Sequence, residues 1–357
     1  MAGIYVHIPF CKKRCLYCDF YSTTLLERRK EYVEALLIEI KARKNEAGEP
    51  IRTIYIGGGT PSTLEIEDIA RILGAIETND AEEITMELNP GDATPEYLQS
   101  LRSVGINRLS IGIQSFTDHL LQLIGRRHTV AQAIDTVHWA QAAGFDNISI
   151  DLMYALPTQT LNQWRADIQI ALHMGVQHIS SYGLMYEEGT AMTKMRDKGL
   201  ITSIDEDIEN EMYDYLCERL GKEGFEHYEV SNFALPGRES KHNSSYWDGT
   251  PYIGVGAGAH SYIGRVRSWN PNDLNAYISG TYKRESEILT EEDLYNESIM
   301  LGLRTKRGVL EPTTSQSRAN YERLIADGLL NRTPEGRIVA TQKGIHILNQ
   351  IIEELMI

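Results

Sequence analysis

Residues 3–18 read GIYVHIPFCKKRCLYC, an apolar segment followed at once by three cysteines, Cys11, Cys15 and Cys18. The apolar part, Gly3–Ile8, predicts a first β-strand, so the cysteines lie on the loop at its carboxyl end. Three thiolates on one short loop can hold three corners of a cubane iron–sulfur cluster, which leaves the fourth iron without a protein ligand. We interpret that iron as the site at which a small molecule coordinates the cluster. In β/α barrels, the chemistry takes place at this end of the strands.

Two other interpretations of the three cysteines remain open. A structural zinc site needs four ligands, and His7 is the nearby candidate for the fourth. A disulfide framework is disfavoured because a chain of this length can bury a core without covalent links, and because one clustered thiol would be left over. The polar run Lys12-Lys13-Arg14 argues against chance clustering in a core and suits a loop that carries an anionic cluster. Cys217 lies in a predicted helix and is expected to be an ordinary buried residue.

Length and composition indicate a globular chain with one large domain and an accessory unit. Of the 357 residues, 42% are hydrophobic and 24% are charged. No apolar run approaches the roughly 18 residues of a membrane span and no leader is recognisable, so we expect a cytoplasmic protein with at most peripheral membrane contact. The net charge of −15 argues against nucleic-acid binding, which requires basic surface.

Apolar, β-rich segments alternate with amphipathic segments over the first half of the chain, which predicts parallel βαβ units. Six units are too few for a closed eightfold barrel, so we predict an α/β fold with an open, partial (βα)6 TIM-like barrel. The predicted strands are Gly3–Ile8, Thr53–Gly57, Glu83–Leu88, Arg108–Gln114, Asn147–Leu152 and His178–Gly183. The predicted helices between them are Arg28–Arg43, Glu65–Ile76, Pro95–Val104, Val130–Ala143 and Asn162–Met174.

Three regions are predicted along the chain. Residues 1–190 form the barrel core, residues 191–285 extend it, and residues 286–357 form a C-terminal α+β unit. In the last region, helices precede a two-stranded β-ribbon, an order typical of a winged helix. Because this tail lacks a basic stripe, we expect it to dock against or cover the site rather than bind DNA.

Polar residues follow apolar strands at the ends that should meet in one place. Three of them terminate successive strands: Glu87, Gln114 and Asp151. Three such residues suggest a shared site, although one alone would more often be a cap. Gly57-Gly58-Gly59 ends the second strand, where glycines let the backbone approach a ligand closely. Arg126 or Arg127 could clamp a carboxylate with two hydrogen bonds.

The cysteine spacing, with Tyr17 just before Cys18, resembles the radical S-adenosylmethionine (SAM) superfamily, and the wider set of motifs resembles its oxygen-independent coproporphyrinogen III oxidase family. The motifs that carry this resemblance are Tyr5–Cys11, Tyr17–Phe20, Gly57–Pro61, Glu87, Gln114, Arg126 and Asp151. The resemblance implies a [4Fe–4S] cluster on the three cysteines, whose open iron is chelated by the amino and carboxylate groups of SAM. It also implies a SAM site lined by Tyr5, Tyr17, Gly58, Gly59, Thr60, Glu87, Gln114, Arg126 and Asp151.

Departures from the oxidase pattern select a branch of that family. The oxidases continue the cysteine motif as Cys-x-Cys, whereas this chain reads Cys18-Asp19-Phe20, and it begins directly with the first strand. Residues 242–247 read HNSSYW, which resembles the haem chaperone branch, where the motif is tied to haem binding. A histidine beside flat aromatic rings can offer an axial iron ligand and faces for a porphyrin, although such a segment taken alone would more often pack on the core. The resemblance implies haem binding by His242, Asn243, Tyr246 and Trp247.

The favoured hypothesis is therefore a haem chaperone that carries a [4Fe–4S] cluster and SAM. It would deliver haem to an acceptor haemoprotein, such as a membrane-bound respiratory enzyme. The alternative is a coproporphyrinogen III oxidase that catalyses oxidative decarboxylation, because the cofactor residues are complete. A third hypothesis is a radical enzyme with a substrate other than a porphyrin. The resemblance also places the glycine-rich stretch Gly254–His260 near the cofactor.

Overall fold

The computed structural model describes residues 2–311 and 315–357. Six parallel strands pair in chain order at its centre. Their bounds are β1 Ala2–Ile8, β2 Ile51–Gly58, β3 Glu83–Leu88, β4 Arg108–Gln114, β5 Ile148–Tyr154 and β6 His178–Gly183. Because β1 and β6 pair with later strands instead of with each other, the barrel stays open. The predicted α/β fold is confirmed, and each predicted strand is present.

Helices cover the outer face of these strands and carry the chain from one strand to the next. Their bounds are α1 Arg29–Arg43, α2 Ile66–Ile76, α3 Pro95–Ser103, α4 Asp118–Leu123, α5 Val130–Ala142 and α6 Leu161–His173. Threonine side chains begin α5 and α6, each in a reciprocal capping arrangement with a glutamine of the first turn. The sequence did not predict α4, because a helix this short shows too little apolar periodicity.

The next region extends the sheet at both edges to twelve strands. Its elements are α7 Ala191–Asp197, α8 Glu206–Lys222, β7 Glu226–Glu229, β8 Asn232–Ala234, α9 Lys241–Asp248, β9 Tyr252–Val255, β10 His260–Ile263, β11 Val266–Trp269, α10 Leu274–Ser279 and β12 Glu285–Ile288. The β7–β8 hairpin adds antiparallel strands beside β6. On the other edge, β9 lies parallel to β1.

The C-terminal unit has its own apolar core and a small three-stranded sheet. Its elements are α11 Glu291–Gly302, β13 Val309–Leu310, α12 Ser315–Ala326, β14 Leu330–Arg332, β15 Arg337–Ala340, α13 Gln342–His346 and α14 Leu348–Leu355. The sheet has one strand more than the predicted ribbon. The predicted boundary at 285/286 falls inside β12, which pairs with β11, so this unit begins after Ile288. The wider division into three regions stays a prediction.

The helix α9 closes the amino end of the barrel. Its first backbone N–H groups donate to the carboxylate of Glu83, at the start of β3. Thr53 of β2 is hydrogen-bonded to the ring of His242. The opposite end of the strands, where the cysteine loop follows β1, stays open. Among the described helices, none has the length and apolar character needed to cross a membrane.

Candidate cofactor site

A cavity of about 450 Å³ opens at the carboxyl ends of the barrel strands. The predicted cluster and SAM residues that line it are Cys11, Cys15, Tyr17, Cys18, Gly58, Gly59, Thr60, Glu87, Gln114, Arg126 and Asp151. Tyr5 does not line the cavity. Its ring lies against Tyr55, and its hydroxyl is hydrogen-bonded to Nδ1 of His7 at 2.9 Å. Tyr5 therefore lies beneath the cavity floor, which Tyr55 forms.

The three cysteines of the loop after β1 all face this cavity. Thr60 donates a hydrogen bond to Sγ of Cys11, and Arg126 donates one to Sγ of Cys15, both at 3.4 Å. Burial raises the pKa of the Cys11 thiol, and it raises the pKa of Cys18 to about 11. These two thiols are therefore protonated at neutral pH until iron displaces the protons. Three thiols that line one cavity, two of them with a hydrogen-bond donor to sulfur, suit three corners of a cluster.

The zinc interpretation does not fit the geometry of His7. Its Nδ1 is bonded to the hydroxyl of Tyr5, and its Nε2 lies 3.0 Å from the carbonyl oxygen of Tyr21. Within the described residues, no three His, Cys, Asp or Glu side chains are grouped so that they could hold a single metal ion. The disulfide interpretation fails as well, since the four cysteines are free thiols and Cys217 is half-buried in α8.

The glycines after β2 bring the backbone close to the cysteine loop. Gly58 has a φ of +113°, a conformation that favours glycine, and a Cβ there would lie 2.6 Å from the ring of His7. A Cβ on Gly59 would lie 3.0 Å from Sγ of Cys11 and 2.8 Å from the carbonyl carbon of Pro9. A side chain at either position would fill the space beside the cysteine loop. The close approach of the two backbone segments therefore requires glycine at both positions.

Two partly buried carboxylates face the cavity from β3 and β5. Glu87 accepts hydrogen bonds from the hydroxyl of Tyr55 at 2.9 Å and from the backbone N–H of Gly58 at 3.1 Å. Burial, and then the charge of Asp151, raise the pKa of Glu87 to about 7. Asp151 accepts a hydrogen bond from Ser110 at 3.1 Å, and burial raises its pKa too. A ligand with positive charge would stabilise both carboxylates in their ionised form.

The structure distinguishes the two arginines that the sequence left as alternatives. Arg127 pairs with Asp92 at 2.7 Å, outside the cavity. Arg126 lines the cavity and also donates to the carbonyl oxygen of Gly112. The sequence missed Arg108, which is 1% exposed at the start of β4 and lines the same cavity. An arginine that begins a strand normally indicates an exposed edge, so the pattern gave no signal for it.

Gln114 ends β4 in an unusual backbone conformation. Its φ is +71°, and the pairing of β4 with β5 shifts register between Gly112 and Gln114. Positive φ at a non-glycine residue is a local strain that recurs at ligand sites, and an irregularity of this kind redirects a side chain. The side chain of Gln114 consequently lines the cavity.

The glycine-rich stretch is near β1 but does not line this cavity. Its strand β9 pairs with β1. Gly256 approaches so closely that a Cβ would lie 2.6 Å from the carbonyl oxygen of His7. The buried pair Glu39 and Arg43 holds the stretch through hydrogen bonds to its backbone. These glycines therefore allow β9 to pack closely against β1. The stretch adjoins β1, which leads into the cysteine loop, but it does not itself line the cofactor cavity.

The HNSSYW segment forms α9, and its four predicted haem residues face different ways. His242 has no exposed surface; its Nδ1 is bonded to Thr53 and its Nε2 to the hydroxyl of Tyr246, both at 2.9 Å. Burial lowers the pKa of His242 to about 3. Asn243 lines the cofactor cavity, whereas Tyr246 and Trp247 line a second cavity. In this conformation, His242 has no free nitrogen for iron.

Unpaired polar groups in the cavity indicate which ligand groups it could bind. The guanidinium Nε atoms of Arg108 and Arg126 are buried and lack a hydrogen-bond partner among the described residues. Buried donors without partners cost free energy, so they indicate a missing acceptor. The carboxylate of an amino-acid ligand would supply one, and its ammonium group would suit Glu87 or Asp151. The residues present thus fit the cluster and SAM predicted from the sequence.

Comparisons with known proteins extend these observations. The family model for the Radical SAM superfamily matches residues 5–171. The chain is 39% identical to the haem chaperone HemW of Lactococcus lactis subsp. lactis (strain IL1403), over 99% of this chain and 97% of that protein. It is 35% identical to HemW of Bacillus subtilis (strain 168), over 98% and 96%. The mitochondrial radical S-adenosyl methionine domain-containing protein 1 of Danio rerio is 33% identical, over 86% and 74%.

Among solved structures, coproporphyrinogen III oxidase (HemN) from Escherichia coli matches with a TM-score of 0.83, at 23% identity. The match covers 99% of this chain and 90% of that one. At this level of identity, the likeness establishes the fold.

Proposed function

Because this chain belongs to the family of the haem chaperone HemW, within the radical SAM superfamily, we propose that it binds haem and passes it to acceptor haemoproteins. The observation that carries the proposal is the position of α9. This helix places Asn243 in the cofactor cavity and Tyr246 and Trp247 on a separate aromatic cavity. One helix therefore lines both the cofactor cavity and the space that a flat ligand could occupy.

The cofactor cavity would hold a [4Fe–4S] cluster and SAM. Cys11, Cys15 and Cys18 would hold the cluster, and when bound it supplies an open iron that the amino and carboxylate groups of SAM complete. The guanidinium groups of Arg108 and Arg126 would orient and neutralise a carboxylate in the cavity. Glu87 and Asp151 would offer negative charge to the positively charged groups of the ligand.

The acceptor and the compartment belong to the same proposal. The cytoplasm keeps thiols reduced, as three cluster-binding cysteines require. We place the acceptor at a membrane, as a respiratory haemoprotein that this chain meets by peripheral contact. The negative net charge of −15 favours a basic docking surface on that acceptor.

One experiment tests the chaperone function against the oxidase alternative. The protein is reconstituted with iron and sulfide without oxygen, and one sample is assayed for haem transfer to an apo-cytochrome and for turnover of coproporphyrinogen III with SAM and a reductant. We expect a Soret band on titration with haem, transfer to the apo-cytochrome, and no protoporphyrinogen. Product formation at a fully loaded cluster would establish the oxidase, and the lack of any haem binding would contradict the chaperone function.

A matched pair of variants makes that experiment specific. Trp247→Ala removes the largest aromatic face of the HNSSYW helix. Trp269→Ala removes a tryptophan of β11 that stacks on His260 and lines neither cavity described here. We expect weaker haem binding in the first variant and unchanged binding in the second. Equal affinity in both variants would argue against a role of this helix in haem binding.

A further inference from the structure

A second cavity, of about 660 Å³, lies between α9 and the C-terminal unit. The helix α9 contributes Tyr246 and Trp247, and the strand β9 contributes Tyr252. Elements of the C-terminal unit close the other side, with apolar side chains such as Ile299 and Met300 of α11. We call this space the aromatic cavity. Its volume lies within the range of about 300–1,000 Å³ that small-molecule and cofactor sites occupy.

The wall next to α9 is rigid and aromatic. The rings of Tyr246 and Tyr252 meet edge to face, with centroids 4.6 Å apart. The hydroxyl of Tyr246 points away from the cavity towards His242, to which it is bonded at 2.9 Å. The ring of Tyr246 is therefore fixed from behind and offers the cavity a carbon surface. Such surfaces suit a large, flat, apolar ligand.

Two hydroxyl groups in the opposite wall lack partners. Tyr321 of α12 is 1% exposed, Tyr295 of α11 is partly buried, and both line the aromatic cavity. Neither hydroxyl makes a hydrogen bond to any of the residues that the structure describes. A buried hydroxyl without a partner is unfavourable, so its presence points to a ligand atom that can accept or donate a hydrogen bond.

Three arginines line the aromatic cavity, and they differ in how far they are engaged. Arg267 forms an ion pair with Glu297 at 2.7 Å. Arg337 donates to the backbone carbonyl oxygens of residues 307 and 308, at 2.7 and 2.8 Å. Arg307 has a distant pair with Asp248 at 4.0 Å, and its side chain is 62% exposed. The guanidinium of Arg307 can therefore take up a carboxylate at the mouth of the cavity.

From these contacts we propose that the aromatic cavity is the haem pocket, and that Arg307 binds a propionate of the haem at its mouth. The macrocycle packs on Tyr246 and Trp247, and the hydroxyls of Tyr295 and Tyr321 meet its polar edge. His242 does not line the cavity and contributes by holding Tyr246 in place. This inference rests on the proposed function, and it places haem on the side of α9 that faces away from the cluster.

The first test uses charge and a modified ligand. The reconstituted full-length protein carries Arg307→Glu, or Arg265→Glu as a control for the same charge change at an exposed arginine that pairs with Glu291. Each variant is titrated with haemin and with haemin dimethyl ester, which lacks the propionate charges. We expect Arg307→Glu to weaken haemin binding about tenfold and to leave ester binding unchanged, since a charge-assisted pair is lost and replaced by repulsion. The control should match wild type with both ligands.

The second test removes one oxygen atom. Tyr321→Phe deletes an unpartnered hydroxyl, so the ligand-free protein should keep or gain thermal stability while haemin affinity falls about threefold. Tyr277→Phe is the control, because the hydroxyl of Tyr277 donates to Glu39 at 2.6 Å. That variant should lose stability and keep its haemin affinity. Loss of a hydroxyl that binds the ligand should lower haemin affinity without lowering stability. Loss of a hydroxyl that stabilises the fold should lower stability without lowering haemin affinity.

The outcomes distinguish a wrong location of the haem pocket from a wrong chaperone function. If wild type binds haemin while Arg307→Glu and Tyr321→Phe bind it equally well, the pocket lies elsewhere and the chaperone function stands. If wild type fails to bind haemin, the pocket and the function both fall. Selective loss in the two variants, with intact controls, supports the pocket.

Discussion

At the carboxyl end of the barrel, Arg126 faces an open cavity with a buried Nε atom that lacks a partner among the described residues, whereas at the amino end His242 is fully buried with both ring nitrogens bonded. The two ends are built from the same strands but use polar groups differently. Unpaired polar groups at one end indicate a place for a ligand, and paired groups at the other indicate a finished structural element. The contrast therefore assigns cofactor binding to the carboxyl end of the barrel, and closure of the amino end to the buried side of α9 that carries His242.

That contrast divides the HNSSYW motif into two parts. His242 and the backbone at the start of α9 belong to the closed end, where Thr53 and Glu83 hold them. Tyr246 and Trp247 project to the other side of the helix. A motif that is associated with one ligand can thus contain residues that position others, and substitutions should separate the two roles.

The largest effect is expected from the cysteine loop. Cys15→Ser or Cys18→Ser removes one of three thiolates, and a cluster held by two corners should not persist, so iron and sulfide content and the visible absorption should fall to background. Cys217→Ser is the matched control, since this thiol lies in α8 away from the cavity. Retention of a full four-iron spectrum in Cys18→Ser would show that the loop does not hold the cluster.

Much of this carboxyl-end site could be predicted from the sequence, because each strand places its last polar residue at one common edge. Glu87 and Gln114 follow that rule, and the cysteine loop follows it as well, whereas Asp151 lines the cavity from the middle of β5 instead of from its end. Arg108 breaks the rule, because it begins its strand and still lines the cavity.

The amino end could not be predicted in the same way. The burial of His242 depends on Thr53 and Glu83, which lie more than a hundred residues away in sequence. Local pattern does show a histidine near aromatic residues, but it does not show which side of a helix faces the barrel. The second cavity is likewise formed by elements on both sides of the predicted boundary at 285/286.

A substitution at the closed end should unfold the protein rather than remove a ligand. His242→Ala leaves the hydroxyls of Thr53 and Tyr246 without a partner and opens a void at the foot of the barrel, so the free energy of unfolding should fall by about 4 kcal/mol. Urea titration measures it. His138→Ala, at an exposed position of α5, is the control and should change stability little. A stable His242→Ala that has lost only its haem spectrum would assign His242 to the iron and contradict the division drawn above.

Gly58 lies at the carboxyl end of β2 and packs against the ring of His7 of β1. Gly58→Ala forces a side chain into a φ of +113° and places its Cβ 2.6 Å from the imidazole, so the free energy of unfolding should fall by roughly 3 kcal/mol. Gly74→Ala, in α2 with open space around it, is the control and should be neutral or slightly stabilising. Thermal unfolding of both variants checks the prediction. If Gly58→Ala is as stable as wild type, the loop after β2 can shift to accept a side chain, and the close approach to His7 does not require glycine.

The smallest expected effect concerns the ionisation of Glu87 at the open end. Because burial raises its pKa from 4.5 to about 7, the folded protein holds the proton more tightly than the unfolded chain between these values. This carboxyl group therefore lowers the wild-type free energy of unfolding as pH rises from about 4.5 to about 7, and the loss is complete above that window. Glu87→Gln cannot ionise, so its stability relative to wild type should rise across the window and then stay level. The rise should be roughly 2 kcal/mol, below the full value for this pKa change, because Glu87 is only partly buried and solvent screens its charge. Urea titrations of the ligand-free proteins at several pH values measure the difference, and a flat difference would mean that Glu87 is ionised at low cost and that the open end is more hydrated than its burial indicates.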